Sequence, residues 1–315
     1  MAAPLSIRLP NHLGDTLMTL PALERLAAAG HALNLLGKGW AVPLLGAYDW
    51  PVTPAAPRWT DAIRQWRAQR AAHGPQALLF TNSFGSALAA RLAGMTVTGY
   101  ATDGRGILLS RAIRVSPRWS RPDGDMHTVE YYDALAASHL GEPARRPAPL
   151  ALRLREEART RARALLADAG VSGPYVVLCP GATGLHRGRE KTWRDFPRLS
   201  RWLVERGARV VGLPGPGERA RFEEALPGAV VLPDADVATY AALLAESRLV
   251  VANDSGPSHL AAAVGAPLLA LFGVTAVART RPWSQHATVL GSDAGWPSLD
   301  EVTAAAARRI GITLA

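Results

Sequence analysis

Cysteine is nearly missing from this sequence: Cys179 is the only one among 315 residues. A single thiol excludes an intrachain disulfide and any metal site built from several thiolates. Long apolar runs are missing too, since none reaches the ~18 uninterrupted residues of a membrane-spanning helix. The best candidate, residues 249–272, is broken by Asn253, Asp254, Pro257 and His259. The first residues lack a Lys/Arg segment followed by an apolar core, so no export signal is expected. With neither disulfides nor a leader, the expected compartment is the cytosol. Acidic residues are in deficit, 26 against 35 Lys+Arg, for a formal net charge of +9. The excess is mostly Arg and points to an anionic partner: phosphates, an acidic membrane surface or nucleic acid. A composition rich in Ala, Arg, Pro and Gly accounts for it equally well.

What is present reads as a folded enzyme-sized chain. Apolar residues make up 48% and charged ones 19%, the balance of a globular protein. The length suggests two domains, each able to bury its own core. Apolar strand-like runs alternate with helical patterns throughout. Residues 6–9 read as a strand, followed by Asn11-His12-Leu13-Gly14-Asp15 and a helix with Leu17, Met18, Leu20, Leu23 and Leu26 on one face. Strands at 33–36, 77–80 and 96–100 alternate with helices at 60–72 and 85–92. Residues 104–121 then carry Arg105, Arg111, Arg114, Arg118 and Arg121 with apolar side chains between them, and 127–140 reads as a helix stopped by Gly141. Residues 142–149, with three prolines, form the best linker. Beyond it the alternation restarts and ends in a helix at 299–310. Two βα-alternating halves predict two doubly wound parallel sheets, residues 1–149 and 150–315.

The richest polar stretch is 249–273, LVVANDSGPSHLAAAVGAPLLALFG. It reads as strand, polar loop, helix, strand, with its polar atoms at the carboxyl end of the first strand. Open α/β sheets bind ligands at that end, and a helix N-terminus there suits phosphate. A routine turn capped by Asp or Ser is the plain alternative. Gly14-Asp15 stands in the equivalent place in the first half, where Asp15 is either a helix cap or a carboxylate base. Lys191, with Arg187 and Arg189, adds cations to a loop after the strand at 175–179. Cations and amides around a diphosphate, with a base on the other domain, describe in-line displacement with inversion.

Three patterns compete. Residues 215–220 (GPGERA) match a dinucleotide fingerprint, with Asp234 about 20 residues on, and would suit an NAD(P)- or flavin-binding oxidoreductase. They follow the second strand of their half, however, and Pro216 stiffens the turn. Asp234-Ala235-Asp236 resembles a metal-binding DxD, but Asp236 precedes a helical pattern and reads better as its cap. Asp254, Ser255 and His259 supply hydrolase residue types on one turn, without a G-x-S-x-G elbow. A non-catalytic binder of anionic lipid or nucleic acid would rest on net charge alone.

Taken in series, five pieces resemble the heptosyltransferases of lipopolysaccharide inner-core assembly, glycosyltransferase family 9. They are Gly14-Asp15-Thr16-Leu17-Met18-Thr19-Leu20-Pro21-Ala22-Leu23, His127-Thr128-Val129-Glu130, Pro180-Gly181-Ala182 with Lys191-Thr192-Trp193, Gly215-Pro216-Gly217-Glu218, and the run from Asp254 to Ala263. Together they span nearly the whole chain. The resemblance implies a GT-B fold, two Rossmann-like domains facing across a cleft, with the last helix crossing back to the first domain. It implies inverting transfer of a heptose from ADP-heptose to a phosphorylated, lipid-linked core sugar, without a cofactor or metal. Asp15 would be the general base. Lys191 would bind the donor phosphate, Glu218 the ribose and Asp254 the sugar hydroxyls, with Thr183 a further donor contact. Ser255, Gly256, Pro257, Ser258 and His259 would form the turn on the diphosphate. Asn11, His12, Arg105, Arg111, Arg114 and His127 are the acceptor-side candidates. The expected setting is a monomer at the cytoplasmic face of the inner membrane that handles a nucleotide sugar and no nucleic acid. Two stretches depart from the family pattern: residues 184–190 are longer and more basic, and 105–121 match nothing.

Overall fold

A computed structural model describes residues 3–121, 123–181, 185, 186 and 188–312, and the chain divides into two units, 1–148 and 149–315. The first runs β1 (Ala3–Arg8), α1 (Leu13–Met18), α2 (Leu20–Ala28), β2 (His31–Gly37), α3 (Ala41–Leu44), β3 (Val52–Pro54), α4 (Trp59–His73) and β4 (Gln76–Leu79). It continues through α5 (Phe84–Leu92), β5 (Thr96–Tyr100), a 3-10 turn (Arg105–Leu108), β6 (Arg111–Ile113), α6 (Pro117–Ser120) and α7 (Thr128–Leu140). Its sheet is parallel, in the order β3-β2-β1-β4-β5-β6. Leu5, Ile7, Leu33, Leu35, Leu78 and Leu79 are buried, as expected of strands covered on both faces.

The single helix expected after Asp15 is two helices. Thr19 ends α1 and caps α2, whose first turn holds Pro21. Proline lacks an N–H and crowds the preceding turn, so it starts a helix more readily than it continues one.

The second unit runs α8 (Glu156–Asp168), β7 (Val176–Cys179), a hairpin of β8 (Leu185–His186) and β9 (Arg189–Glu190), α9 (Phe196–Glu205), β10 (Val210–Gly212), α10 (Arg219–Ala225) and β11 (Val230–Val231). Then come α11 (Val237–Ala245), β12 (Leu249–Asn253), α12 (Gly256–Ala263), β13 (Leu268–Phe272), α13 (Val277–Thr280), β14 (Ala287–Gly291) and α14 (Leu299–Ile310). The strand order, β11-β10-β7-β12-β13-β14, repeats that of the first unit, again parallel throughout. Each sheet therefore has one switch point, between β1 and β4 in the first and between β7 and β12 in the second. Loops leaving neighbouring strands diverge there and open a crevice at the carboxyl edge.

The last helix, α14, is part of the second unit. Val302, Ala305, Ala306 and Ile310 of α14 join the core cluster of the second unit with Leu249, Val251, Leu269 and Leu271. Its apolar stripe is thus used on its own unit's sheet. The same edge explains Gly273: a Cβ there would lie 2.0 Å from the Trp296 ring. Gly273→Ala is expected to cost about 1–3 kcal/mol by overpacking, readable as a lowered denaturation midpoint with an unchanged slope.

Candidate active site

In the first unit, the chain leaving β1 is held by Arg8. Its guanidinium reaches the carbonyls of Leu9 and Leu36 and donates to Asn11 Oδ1 at 2.7 Å. Asn11 and His12 are exposed; His12 takes the N-cap position of α1 in extended backbone, without a side-chain cap bond. Asp15 is therefore not the cap. It stands half-buried in the first helical turn, where a carboxylate is favoured by the free N–H groups. Tyr132 of α7 lies against it. Burial, then the Asp15 charge and the hydrogen bond to Asp15, hold the Tyr132 hydroxyl well above its ordinary pKa, so it stays a proton donor. Phe80 packs edge-on to the Tyr132 ring, 5.5 Å between centroids.

The acceptor-side candidates do not form one group. Arg105 is 0% exposed and donates to Tyr100 O at 2.8 Å, to Thr81 O and to Asn82 Oδ1 at 3.1 Å. Burial lowers its pKa, and every one of these contacts is internal. It holds the β4 and β5 loops together and does not face solvent, which corrects its place among the acceptor contacts. His127 is buried, and its Nδ1 accepts from Val129 N at 3.1 Å while Glu130 accepts from His127 N, a reciprocal cap on α7. Arg111, exposed at the start of β6, donates to His139 O at 2.9 Å; Arg114 is exposed just past the end of that strand.

In the second unit, Asn253 organises the switch point. Fully buried at the end of β12, it donates to Pro180 O and accepts from Trp193 N, each at 3.0 Å. One side chain thus ties β12 to the loop after β7 and to the segment bearing Lys191. Asp254, 6% exposed, has Oδ1 3.7 Å from His259 Nε2 and accepts from the Thr280 hydroxyl at Oδ2, 3.1 Å. Burial alone would raise its pKa, but His259, Thr275 and the Lys191 charge outweigh that and bring it below the usual carboxylate value. Asp254 is ionised at neutral pH and lies within the field of Lys191. His259 Nδ1 is buried with no hydrogen-bond partner among the described residues.

The turn itself narrows the amides on offer. Pro257 has no N–H, Ser255 N lies 3.4 Å from Ser258 Oγ, and Ser258 N and His259 N both close onto Ser255 O. Gly256 N–H alone is left without a partner among the described residues of this turn. The Ser255 hydroxyl donates to Asn253 O at 3.2 Å rather than to His259, so the turn holds no hydrolase triad.

Of the neighbouring cations, Arg189 donates to Asp293 O and Val274 O, while Thr183 and Arg187 lie outside the described residues. Glu218 Oε2 accepts from Gly215 N at 2.9 Å, and its Oε1 faces the Cα of Gly181. A carboxylate on the first glycine amide occupies the place a dinucleotide pyrophosphate would take, which removes the fingerprint reading of residues 215–220. Asp236 caps α11 through Ala238 N and Thr239 N, both at 3.0 Å, as the helical pattern suggests.

A family model for glycosyltransferase family 9 (heptosyltransferase) matches residues 63–306. The chain belongs to that family. Lipopolysaccharide heptosyltransferase 1 of Pseudomonas aeruginosa is 39% identical over 136 residues, 42% of this chain and 38% of that protein. The aligned region thus spans under two fifths of that relative's length. Lipooligosaccharide heptosyltransferase 2 of Haemophilus ducreyi is 26% identical over 312 residues, covering 89% of this chain and 86% of that protein. Among solved structures, E. coli ADP-heptose lps heptosyltransferase II superimposes with a TM-score of 0.73 at 25% identity, over 92% of this chain and 90% of that one. The E. coli heptosyltransferase WaaC with ADP gives 0.71 at 22% identity, over 97% and 99%, a likeness of fold. The architecture of this family 9 member is GT-B, two parallel-sheet α/β domains.

Three residues of the site escaped the sequence. Asn253 reads there as part of a polar loop, and nothing marks it as a buried brace except its place directly after an apolar run. Asn82 has the same signature after the apolar run 77–80. Tyr132 is hidden in a helical pattern whose period gives no sign of a hydroxyl aimed at Asp15.

Proposed function

We propose that the chain is an inverting glycosyltransferase that moves a heptose from ADP-heptose onto a phosphorylated inner-core sugar of a lipid-linked lipopolysaccharide acceptor. The observation that carries this reading is that each sheet gathers its functional groups at its own switch point. A half-buried carboxylate stands there in the first unit, and an ionised Asp254 with Lys191 and an open Gly256 amide in the second. Transfer with inversion asks for these two sets of groups. Asp15 takes the proton of the acceptor hydroxyl as its oxygen bonds to the anomeric carbon. The bond from that carbon to the diphosphate oxygen breaks on the opposite face, and ADP leaves with the electron pair. Lys191 and the Gly256 amide stabilise the charge that develops on the diphosphate. Asp254 accepts from heptose hydroxyls, and Glu218 Oε1 from the ribose. The named relatives support the donor and the pathway step: curated matches are lipopolysaccharide heptosyltransferases, and one solved neighbour is described with ADP.

The first domain then serves the acceptor and the second the nucleotide sugar. The work is done at the periphery of the cytoplasmic face of the inner membrane, where the +9 charge favours anionic lipid. No described helix is long and apolar enough to cross a membrane. The test is ADP release on mixing the protein with ADP-heptose and deep-rough lipopolysaccharide. Release that requires both substrates supports the reading, and none with any core-truncated acceptor overturns it. A panel of other nucleotide sugars would expose a family member with a different donor. Lys191→Ala is expected to raise the ADP-heptose KM about 10–100-fold, the worth of a charge-assisted contact to phosphate, with the acceptor KM little changed.

A further inference from the structure

We propose that Asn82 binds the acceptor, its side-chain amide donating a hydrogen bond to an oxygen of the acceptor sugar beside Asp15. This rests on the glycosyl-transfer reading above and adds to it a recognition residue for the acceptor. β1 and β4 are paired parallel neighbours. The helix after β1, α1, carries Asp15 in its first turn, and Asn82 lies three residues past the end of β4. The two side chains therefore flank the switch-point crevice of the first sheet from opposite sides.

Consecutive tyrosines on α7 hold them. Tyr132 meets Asp15, and the Tyr131 hydroxyl lies 2.8 Å from Asn82 Nδ2 and 3.1 Å from Oδ1. The two rings stand 5.4 Å apart at 70°. Tyr131 is itself clamped between Tyr100 and Trp119, stacked at 4.3 and 4.2 Å, and Tyr100 donates back to Tyr131 O at 2.7 Å.

Arg105 decides the orientation of the amide. A guanidinium has donors only, so the Asn82 atom facing its Nη2 at 3.1 Å is the oxygen. Its bonds to Thr81 O and Tyr100 O already join the β4 and β5 loops. The third bond adds little to that join, and its effect is to fix a half-buried amide with Nδ2 turned away from the guanidinium. Tyr131 Oη takes at most one of the two Nδ2 hydrogens, and the other has no partner among the described residues. A rigid donor that has lost its rotational freedom before binding gives affinity and register at small entropic cost. The carboxylate beside it can only accept, so an acceptor hydroxyl is gripped by one group and deprotonated by the other.

The test is steady-state ADP release with ADP-heptose and deep-rough lipopolysaccharide, together with acceptor binding to immobilised protein in the absence of donor. Asn82→Ala is expected to raise the acceptor KM by about 5–20-fold, one hydrogen bond's worth, with the ADP-heptose KM within a factor of two. Asn82→Asp keeps the shape and the Arg105 contact but loses the donor, and should weaken acceptor binding in the same way. Tyr131→Phe should move the acceptor KM in the same direction by less. An unchanged acceptor KM in folded Asn82→Ala and Asn82→Asp, or an equal rise in donor KM, overturns the assignment. Wild-type protein that binds the acceptor but releases no ADP sinks glycosyl transfer, while loss of that binding in Asn82→Asp would still support the role of Asn82. Wild type that binds no acceptor overturns both.

Discussion

Asp15→Asn is expected to lower kcat by about 10²–10⁴-fold while leaving the ADP-heptose KM within a factor of two. The substitution keeps the shape of the side chain in the first turn of α1 and keeps an oxygen that can accept from Tyr132. It removes only the charge and the ability to take a proton. Because the acceptor hydroxyl becomes strongly acidic as its oxygen bonds to carbon, the absence of a base is felt in the transition state and hardly in the ground state. The groups proposed for the donor, Lys191, Glu218 and Asp254, belong to the other unit and are left in place. Measured as ADP release under saturating donor, with donor affinity taken separately by calorimetry, the split between kcat and KM is the diagnostic. A kcat within threefold of wild type would remove Asp15 from the chemistry. Equal losses of kcat and donor affinity, with a lowered melting temperature, would make it a structural carboxylate of α1.

Much of this architecture was legible because parallel sheets are written in blunt characters. Strands buried on both faces read as apolar runs, and the two halves repeat one order of strands and helices. The helix ending at Gly141 could be placed to within a residue because its stop signal is a glycine at φ +74°. Among the strands that escaped were three edge ones. β3, β6 and β14 have no fully buried residue, and β6 begins on an exposed arginine, so neither period nor composition marks them. The site was legible where the main chain makes it. A polar turn after an apolar strand, followed by a small-residue helix, announces itself in one dimension. Asn253, Asn82 and Tyr132 were not, since each acts across a long stretch of sequence, 23 residues for the Asn82–Arg105 contact and 49 for Asn82–Tyr131. The arginines failed in the opposite sense. Five in eighteen residues read as a basic surface, yet Arg105 is interior, because a side chain with several donors can serve at once the Thr81 and Tyr100 carbonyls beyond two neighbouring strands.

That interior arginine gives the largest stability effect expected in the chain. Arg105→Met keeps most of the buried volume but takes the donors away from Tyr100 O, Thr81 O and Asn82 Oδ1. Thr81 O is left without a donor among the described residues, while Tyr100 O keeps Thr102 N and Asn82 Oδ1 keeps the Tyr131 hydroxyl. Three charge-assisted bonds lost together, which do not add in full, put the expected total near about 3–5 kcal/mol. Spread over a unit of this size, that corresponds to roughly 6–20 °C in the unfolding temperature of the first unit, with the second unit's transition unmoved. Arg105→Lys should recover little, since a single ammonium cannot reach three acceptors arranged around a planar fork. Arg114→Met, at an exposed position just past β6, is the control and should stay within about 0.5 kcal/mol of wild type. If Arg105→Met proves as mild as that control, the loops after β4 and β5 are held by backbone packing alone. If it is severe, residual folded Arg105→Met protein at low temperature should also bind acceptor poorly, because the same guanidinium that closes the loops sets the Asn82 amide in place.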